Sequence, residues 1–345
     1  MRMLVTGGAG MIGSHAAEYF AKKKWKVVVL DNLSRSKLFK VGRKSVEHNC
    51  NFLASFRRIT RLRGDVRDKR DVRGAIGKGV DVVLHAAGQP GVGFSIGNPL
   101  EDFAINAQGT LNVLESVRKV SPKAVFIFCS TNKVYGENVG HIPLVEGRSR
   151  YRFRGTKGIR ETFPIDLSGH TPYGASKYTA DLYTQEYGCL YGMKTGVFRM
   201  SCIYGTRQFG FEDQGWVAHF VIRSLLKRPL TIYGNGKQVR DVLYVSDLMK
   251  AYERFIEKGK GPEVFNIGGG PDHTLSLLEL VLLLEETLKT KIRLHFKDWR
   301  PSDQKVYVSD ISKLQKDLRW NVSVPFREGL GRLLEWVGAN RGLLR

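Results

Sequence analysis

The sequence predicts an α/β fold, in which a doubly wound parallel sheet is joined to a smaller C-terminal α/β portion. Three observations lead to this prediction. A glycine-rich turn, Gly7 to Gly13, stands between an apolar run and a helical pattern, and a second apolar run ends at Asp31. Apolar strands and helical segments then alternate as far as about residue 199, and this alternation is typical of parallel sheets.

The glycine turn follows the apolar run Met3 to Val5 and opens into helical apolar spacing from His15 to Lys23. Gly7 permits a tight turn, Gly10 lets the backbone approach a pyrophosphate, and Gly13 lets helix and strand pack closely. The unpaired N–H groups at the helix N-terminus would then face the phosphates. This arrangement predicts a dinucleotide site, against the simpler alternative of a glycine turn before a helix.

The second apolar run, Val27 to Leu30, ends at Asp31. An acidic residue at this spacing accepts hydrogen bonds from a ribose 2′-hydroxyl and repels a 2′-phosphate. The sequence therefore predicts NAD, and not NADP, as the cofactor.

Farther along the chain, the pattern predicts a basic irregular segment to about Thr60 and then further strands and helices in alternation. The predicted strands are 64–68, 80–87, 124–130 and one ending at 197–199, and the predicted helices are one from Asp68, one over 99–120 and one over 173–191. Asp65 is placed to accept from an adenine amino group, whereas Asp68 fits a helix N-cap. A buried Asn106 in the middle of its helix needs a hydrogen-bonding partner.

We predict an NAD-binding domain of the Rossmann type over residues 1–199, with an irregular insertion over 137–171, and a mainly nucleotide-sugar-binding portion over 200–345. In the insertion, arginines alternate with other residues at Arg148, Arg150, Arg152 and Arg154. If the insertion is extended, the arginines share one face. That face either attracts a diphosphate or is a solvated surface.

Composition narrows the class of protein. With 345 residues the chain can bury a large core. The longest apolar run, Leu275 to Leu284, is broken by Glu279 and is too short to span a bilayer, and no apolar signal segment precedes the first strand. Four cysteines lie far apart without CxxC spacing, so we expect no disulfide framework, no metal site and a cytoplasmic location.

The net charge is +22, and the basic residues are denser in two stretches, Lys22 to Lys26 and Arg57 to Arg73. Such a balance suits polyanions and anionic nucleotide substrates. The sequence has no aromatic–basic RNA-binding motif and no helix-turn-helix pattern. We therefore expect a solvated basic surface, with no specific nucleic acid and no membrane as partner.

The chemistry is predicted from Tyr173 and Lys177, which are four residues apart and share one helix face. A neighbouring ammonium and a cationic nicotinamide both favour the phenolate, so we expect the pKa of Tyr173 to be lowered from about 10. Thr131, at a strand end, supplies a hydroxyl that can hydrogen-bond to the same substrate oxygen from which Tyr173 takes the proton. With a bound dinucleotide, these residues form a hydride-transfer site.

Together these motifs resemble the extended short-chain dehydrogenases/reductases, specifically the NAD-dependent nucleotide-sugar epimerases and dehydratases. The resemblance runs nearly end to end, and within the group it is to the CDP-paratose 2-epimerases, which convert CDP-paratose to CDP-tyvelose. It rests on Thr6–Gly13, Asp31–Ser34, His85–Gln89, Ser130–Gly136, Arg207–Phe209, Asp213–Trp216, Gly234–Asp241, Phe265–Gly269, Arg300–Gln304 and the Tyr173/Lys177 pair.

The resemblance implies a catalytic set of Thr131, Tyr173 and Lys177. It implies cofactor contacts at Gly7, Gly10, Met11, Ile12, Gly13, Asp31, Asn32, Ser34, Arg35, Asp65, Val66, Ala86, Ala87, Gly88, Gln89, Asn106, Ser130, Tyr173, Lys177 and Met200. It implies substrate contacts at Thr131, Asn132, Ser201, Arg207, Gln208, Tyr233, Arg240, Arg300 and Asp303. Arginines suit a diphosphate because their forked donors match phosphate oxygens, but each could instead belong to a structural ion pair. We also expect a homodimer or homotetramer.

The chain departs from this pattern at Met200, at Pro90 to Phe94 and at Cys202, and these departures leave the sugar open. A UDP-hexose 4-epimerase, or another UDP-sugar epimerase, is the nearest alternative. A 4,6-dehydratase needs an acidic pair after the strand-end threonine, where this chain has Asn132 and Lys133. The alternative from another class is a non-catalytic NAD-binding regulatory or RNA-binding protein.

Overall fold

The computed structural model describes residues 1–39, 43–300 and 302–344, with only the backbone of Arg43. Pro301, part of one quoted motif, lies outside the described residues. The strands are β1 (Arg2–Thr6), β2 (Lys26–Asp31), β3 (Ile59–Arg63), β4 (Val82–His85), β5 (Val125–Thr131), β6 (Leu144–Glu146), β7 (Tyr151–Phe153), β8 (Thr195–Met200), β9 (Cys202–Tyr204), β10 (Leu230–Tyr233), β11 (Val239–Tyr244), β12 (Glu263–Ile267), β13 (Thr274–Ser276), β14 (Leu294–Lys297) and β15 (Val306–Tyr307).

The helices are α1 (Met11–Lys22), α2 (Arg35–Phe39), α3 (Arg43–Leu53), α4 (Lys69–Ile76), α5 (Val92–Gly97), α6 (Pro99–Phe103), α7 (Gly109–Val120), α8 (Thr171–Tyr191), α9 (Trp216–Leu225), α10 (Val245–Lys258), α11 (Leu277–Leu288), α12 (Ser312–Leu318) and α13 (Phe326–Ala339). A π turn, Ala104–Gln108, joins α6 to α7, and short 3-10 segments cover Asn132–His141 and Arg341–Leu343. Throughout the described ranges, no helix combines the length and apolarity needed to cross a membrane.

Seven parallel strands form the large sheet, in the order β12-β8-β5-β4-β1-β2-β3. Successive residues of β1 face opposite sides: Met3 and Val5 belong to one hydrophobic core, and Leu4 belongs to the other. Helices cover both faces of a doubly wound sheet, which explains why its strands are continuous apolar runs. The predicted α/β class with a doubly wound parallel sheet is confirmed.

Two local predictions are wrong. The basic segment before Thr60 contains α2 and α3, so it is not irregular where the structure describes it. The third strand is Ile59–Arg63, and Gly64 to Asp68 form the turn after it. The side chain of Asp68 accepts from the backbone N–H of Arg70 at 2.7 Å, which is the N-cap expected for this residue.

The chain beyond residue 199 does not form a separate sheet throughout. Strand β12 pairs with β8 at the edge of the large sheet, while β9, β11, β13 and β15 form a four-stranded sheet of their own. Strands β10 and β14 form a separate pair. The division of the chain at residue 199 stays a prediction, and the large sheet takes one strand from beyond it.

The insertion contains a hairpin of β6 and β7. Arg150 forms an ion pair with Glu279 of α11 and donates to the hydroxyl of Thr274 at 2.9 Å. The neighbouring Arg152 and Arg154 are exposed. The arginine stripe is therefore partly an attachment of the hairpin and partly a solvated surface.

Candidate active site

The glycine turn lies at the carboxyl end of the large sheet, between β1 and α1. Gly7 has a φ of 68°, and a Cβ atom there would lie 2.6 Å from the amide nitrogen of Ala87. A Cβ atom at Gly13 would lie 2.3 Å from the carbonyl oxygen of Gly7. Gly10 begins α1 without a side-chain cap, so the first N–H groups of the helix remain available to an anion.

Asp31, the last residue of β2, lies beside the glycine turn and is hydrogen-bonded to it. Its carboxylate accepts from the backbone N–H groups of Ala9 at 2.9 Å and Leu33 at 2.8 Å. Burial raises the pKa of this carboxyl above its usual value, and the two backbone hydrogen bonds oppose that shift. Each oxygen accepts one of these bonds and retains capacity for a second, as a ribose diol requires. The residues present therefore fit the dinucleotide.

One cleft runs from this turn to the end of β5, and we call it the main cleft. It is lined by every residue predicted to contact the cofactor except Asn106. Other lining residues were not predicted, and they include Leu38, Phe39, Val46, Pro90, Ile105 and Gln214. The apolar wall residues carry no motif. Gln214 belongs to the quoted stretch Asp213–Trp216, but it reaches the cleft from the C-terminal portion, and the sequence did not assign it to the cofactor.

Asn106 lies in the π turn behind the wall of the main cleft. Its side-chain oxygen accepts from the backbone N–H of Gln89 at 2.8 Å, and its nitrogen lies 3.0 Å from a carboxylate oxygen of Asp102. That nitrogen also lies 3.1 Å from the hydroxyl oxygen of Ser176 in α8. Asn106 thus holds Gln89 in place and does not line the main cleft itself.

The predicted catalytic residues come together at the end of β5. The side chains of Tyr173 and Thr131 lie close enough to interact, and this interaction favours the ionised phenol. The ammonium of Lys177 donates to the carbonyl oxygen of Cys129 at 2.6 Å and lies 4.1 Å from the ring centre of Phe128. All three side chains are buried, and their elements, β5 and α8, pack directly against each other.

Without a bound cofactor the pKa of Tyr173 is not lowered, and the lowering expected with a cationic nicotinamide in place stays a prediction. Burial raises the pKa of this phenol to about 12; the interaction with Thr131 lowers it, and the nearby charge of Asp102 adds to the rise. Burial also lowers the pKa of Lys177 to about 8, against the charges of Cys129, Asp181 and Asp102. In both groups burial disfavours the charged form and outweighs the neighbouring contacts.

A polar group stands beyond Thr131, at the junction with the C-terminal portion. The side-chain oxygen of Asn132 lies 3.3 Å from the hydroxyl of Thr131. Arg240 forms an ion pair with Asp303 at 2.8 Å, and both side chains are largely buried. Lys133 interacts electrostatically with both of them. The sequence reasoning did not include Lys133 among the site residues, although it directly follows Asn132.

Arg300 and Tyr233 form a second predicted substrate group. The guanidinium of Arg300 stacks 3.9 Å from the ring centre of Tyr233 and pairs with Asp213 at 3.2 Å. The hydroxyl of Tyr233 donates to Glu212 at 2.6 Å. Both residues therefore hold the segment that leads to Gln214 in the main cleft.

Three other residues predicted to contact the substrate form ion pairs or hydrogen bonds with other residues of this chain. Arg207 is buried and pairs with Glu18 of α1 at 2.7 Å, which favours the structural ion pair left open as its alternative; its substrate contact stays a prediction. The side chain of Gln208 donates to the carbonyl of Ile203 at 3.2 Å, and the hydroxyl of Ser201 donates to Asp241.

As a whole, the site combines a dinucleotide cleft with a phenol, a hydroxyl and an ammonium at its end. Such a set can remove a proton from an alcohol whose carbon gives up a hydride, and it can return the proton to a ketone. Across the described residues, no group of three or more His, Cys, Asp or Glu side chains could hold a metal ion.

Comparison with known proteins agrees with this arrangement. The model of the family described as "NAD dependent epimerase/dehydratase family" matches residues 3–268. A curated relative, the CDP-paratose 2-epimerase of Salmonella typhi, is 39% identical over 349 residues, which cover 98% of this chain and 100% of that protein.

Two solved structures have the same fold. The UDP-glucose 4-epimerase of Thermotoga maritima, solved with UDP-glucose, has a TM-score of 0.83 and 30% identity, covering 99% of this chain and 100% of that one. The UDP-glucuronic acid 4-epimerase of Bacillus cereus, solved with UDP-glucuronic acid and NAD, has a TM-score of 0.83 and 27% identity, covering 98% of this chain and 99% of that one.

Proposed function

Because the chain belongs to the NAD-dependent epimerase/dehydratase family and is an NAD-dependent nucleotide-sugar epimerase, we propose that it inverts C2 of CDP-paratose to give CDP-tyvelose. The meeting of the buried Tyr173, Thr131 and Lys177 side chains at the end of β5 carries the proposal of alcohol oxidation. The 39% identity to the Salmonella typhi enzyme, over nearly the whole of both chains, supports the choice of CDP and of C2.

In the proposed reaction Tyr173 takes the proton of the C2 hydroxyl and Thr131 orients that hydroxyl. NAD, held by the main cleft, would supply the acceptor for the hydride from C2 and the donor for its return. Lys177 is the cation on the same helix face as Tyr173, and a positive charge near a phenol favours its ionised form. Its hydrogen bond to the Cys129 carbonyl, at 2.6 Å, fixes the ammonium against β5.

Binding roles follow the same geometry. We assign the dinucleotide phosphates to the turn of Gly7, Gly10 and Gly13, and the ribose to Asp31. Arg240 and Arg300 are the proposed contacts for the substrate diphosphate, because each presents a guanidinium whose present partner is a carboxylate. Tyr233 contacts Arg300, Asp303 pairs with Arg240, and Asn132 lies beside Thr131. These three residues are proposed to orient the nucleotide sugar.

Inversion requires the flat 2-keto sugar to turn in the site about its diphosphate link. It then takes the hydride on its other face and the proton from Tyr173. The alternative chemistry is enolisation, which needs an existing ketone and a base at a carbon. The stretch from Val125 to Gly136, which contains Thr131, has no histidine, aspartate or glutamate that would serve as such a base.

The experiment that tests the proposal is turnover of CDP-paratose beside a small panel of CDP- and UDP-hexoses. We expect CDP-tyvelose as product, and thermal protection of the protein by CDP more than by UDP. A UDP-hexose 4-epimerase is the second candidate, supported by the Thermotoga maritima structure. Turnover of UDP-hexoses at C4, without CDP-paratose turnover, would replace our proposal by that one.

Assembly and location remain predictions. Exposed apolar side chains on two adjacent helices, Leu100 and Phe103 of α6 with Leu182 and Leu190 of α8, support a homodimer or homotetramer. The mass in solution, measured by light scattering, tests this assembly. The cytoplasmic location rests on the four isolated cysteines, which are all unpaired in the structure.

A further inference from the structure

Lys133 has a fixed backbone between the two elements that carry the catalytic residues. Its N–H donates to the hydroxyl oxygen of Thr131 at 3.2 Å. Its carbonyl oxygen packs against Gly174 of α8, where an added Cβ atom would approach it to 2.9 Å. The side chain of Lys133 therefore starts from a defined position, two residues along the chain from Thr131, which is proposed to orient the reacting hydroxyl of the substrate.

The ammonium of Lys133 makes fewer hydrogen bonds than its three N–H donors allow. Within the described part of the chain its one hydrogen bond is to the carbonyl oxygen of Ser302, at the long distance of 3.5 Å. An ammonium has three donors. Burial lowers the pKa of this group to about 8; the charge of Arg240 lowers it further, while Asp303 and Cys202 act in the opposite direction.

The charges around Lys133 do not balance. Lys133 and Arg240 are two cations near one carboxylate, and Asp303 gives its short contact, 2.8 Å, to Arg240. The second terminal nitrogen of Arg240 donates to the carbonyl oxygen of Val239. A largely buried excess of positive charge is costly unless an anion compensates it. This group of side chains therefore suits an anionic ligand that contacts both Lys133 and Arg240.

We propose that Lys133 binds the sugar-linked phosphate of the nucleoside diphosphate sugar, as a second cation beside Arg240. The inference rests on the proposed function for the class of ligand. Lys133 is two residues from Thr131, so it holds the phosphate next to the carbon that reacts. The sugar must turn about this phosphate during inversion, and a fixed ammonium there supplies the pivot.

The test measures binding of CDP and of cytidine to the NAD-containing full-length protein by titration calorimetry at pH 7. In Lys133→Met we expect CDP to bind about 10–100-fold more weakly, since hydrogen bonds to charged groups are the strong ones. Cytidine, which has no phosphate, should bind as in the wild type. Lys305→Met removes an exposed ammonium from the same region and should leave both affinities within about twofold.

A second measurement uses pH. Above about pH 8 the ammonium of Lys133 loses its proton in the free protein, so the wild-type affinity for CDP should fall between pH 8 and pH 9.5. Lys133→Arg keeps its charge over this range and should show no such fall. The wild type and Lys133→Arg both retain Lys177, so a difference between their pH profiles is due to Lys133 and not to Lys177.

Three results would overturn the inference. They are wild-type CDP affinity in Lys133→Met, an equal loss of CDP and cytidine binding, and an unchanged CDP affinity with reduced turnover, which would place the ammonium on the sugar. If neither CDP nor UDP binds the wild-type protein, the proposed function fails instead, and the ligand assigned to Lys133 fails with it.

Discussion

The side-chain nitrogen of Asn106 lies 3.1 Å from the hydroxyl oxygen of Ser176, 70 positions away in the chain. This contact joins the π turn to the helix that carries Tyr173 and Lys177. Asp102 is fully buried beneath both and accepts hydrogen bonds from Ser176, Asn106 and the side chain of Gln89. The wall of the main cleft and the catalytic helix are therefore held by one polar network.

Replacing Asn106 by Leu should weaken both the fold and the retention of NAD. The backbone N–H of Gln89 and the carboxylate of Asp102 would each lose a partner, and a buried unpaired group costs about 1–3 kcal/mol. Chemical unfolding and the NAD content of the purified protein measure the two effects. Asn98→Leu, at an exposed position, is the control, and unchanged NAD content in Asn106→Leu would contradict this role.

Tyr173→Phe should retain the fold and bound NAD but lose about 10²–10⁴-fold in turnover, the usual range for a lost general acid–base group. The substitution removes only the hydroxyl group, which interacts with the side chain of Thr131. Tyr183→Phe, on the exposed side of the same helix, should turn over normally. Turnover near the wild-type value in Tyr173→Phe would mean that another group transfers the proton.

Turnover in D₂O distinguishes the two routes of inversion. In the hydride route the hydrogen on C2 returns to the same carbon, and only the hydroxyl proton exchanges with water. Mass spectrometry should therefore find no solvent deuterium at C2, and C2-deuterated substrate should keep its label. Solvent deuterium on C2 after a single turnover would establish enolisation.

Arg207→Met should destabilise the protein without changing substrate affinity. The guanidinium pairs with Glu18 at 2.7 Å and stacks 4.3 Å from the ring centre of Phe52. Breaking a buried ion pair costs roughly 3–5 kcal/mol, and the partial exposure of Glu18 puts the expected loss near or below the lower value. Arg254→Met, which breaks an exposed pair with Glu257, should change the free energy of unfolding by less than about 1 kcal/mol. A raised KM with normal stability would restore the substrate role.

Acid should destabilise the fold through His85. This ring lies 2.6 Å from the hydroxyl of Thr6 and 2.9 Å from that of Thr110, and burial lowers its pKa to about 3. An unfolded histidine has a pKa near 6.5, so between about pH 6.5 and 3 the unfolded chain binds the extra proton and stability falls as the pH falls.

His85→Gln removes that proton uptake. The slope of the free energy of unfolding against pH should then be smaller by roughly 1.4 kcal/mol per pH unit between about pH 6 and 4. The exposed His141→Gln is the control for this measurement. Equal slopes for wild type and His85→Gln would show that His85 does not resist protonation in the folded protein.

The sequence by itself determined the features that lie within short stretches of chain. The glycine turn, Asp31 after its strand, and the Tyr173/Lys177 pair on one helix face are local patterns, and local geometry decides what each can do. Five strands of the large sheet, β1, β2, β4, β5 and β8, were also predictable, because a strand covered on both faces must be an apolar run. Strand β3, which is exposed after Ile59, was placed too late in the chain, and β12 was not predicted. Even Asn106 was recognised as requiring a partner, although its partners were not.

Only the tertiary structure decided which distant residues meet. Arg207 pairs with Glu18 across 189 positions, Lys133 lies between Arg240 and Ser302, and β12 returns to the large sheet from beyond residue 260. Without a bound cofactor the pKa of Tyr173 is raised, because burial is a property of the packed site. The partner of a charge and the cost of burying it depend on residues that only folding brings together, and no local pattern records them.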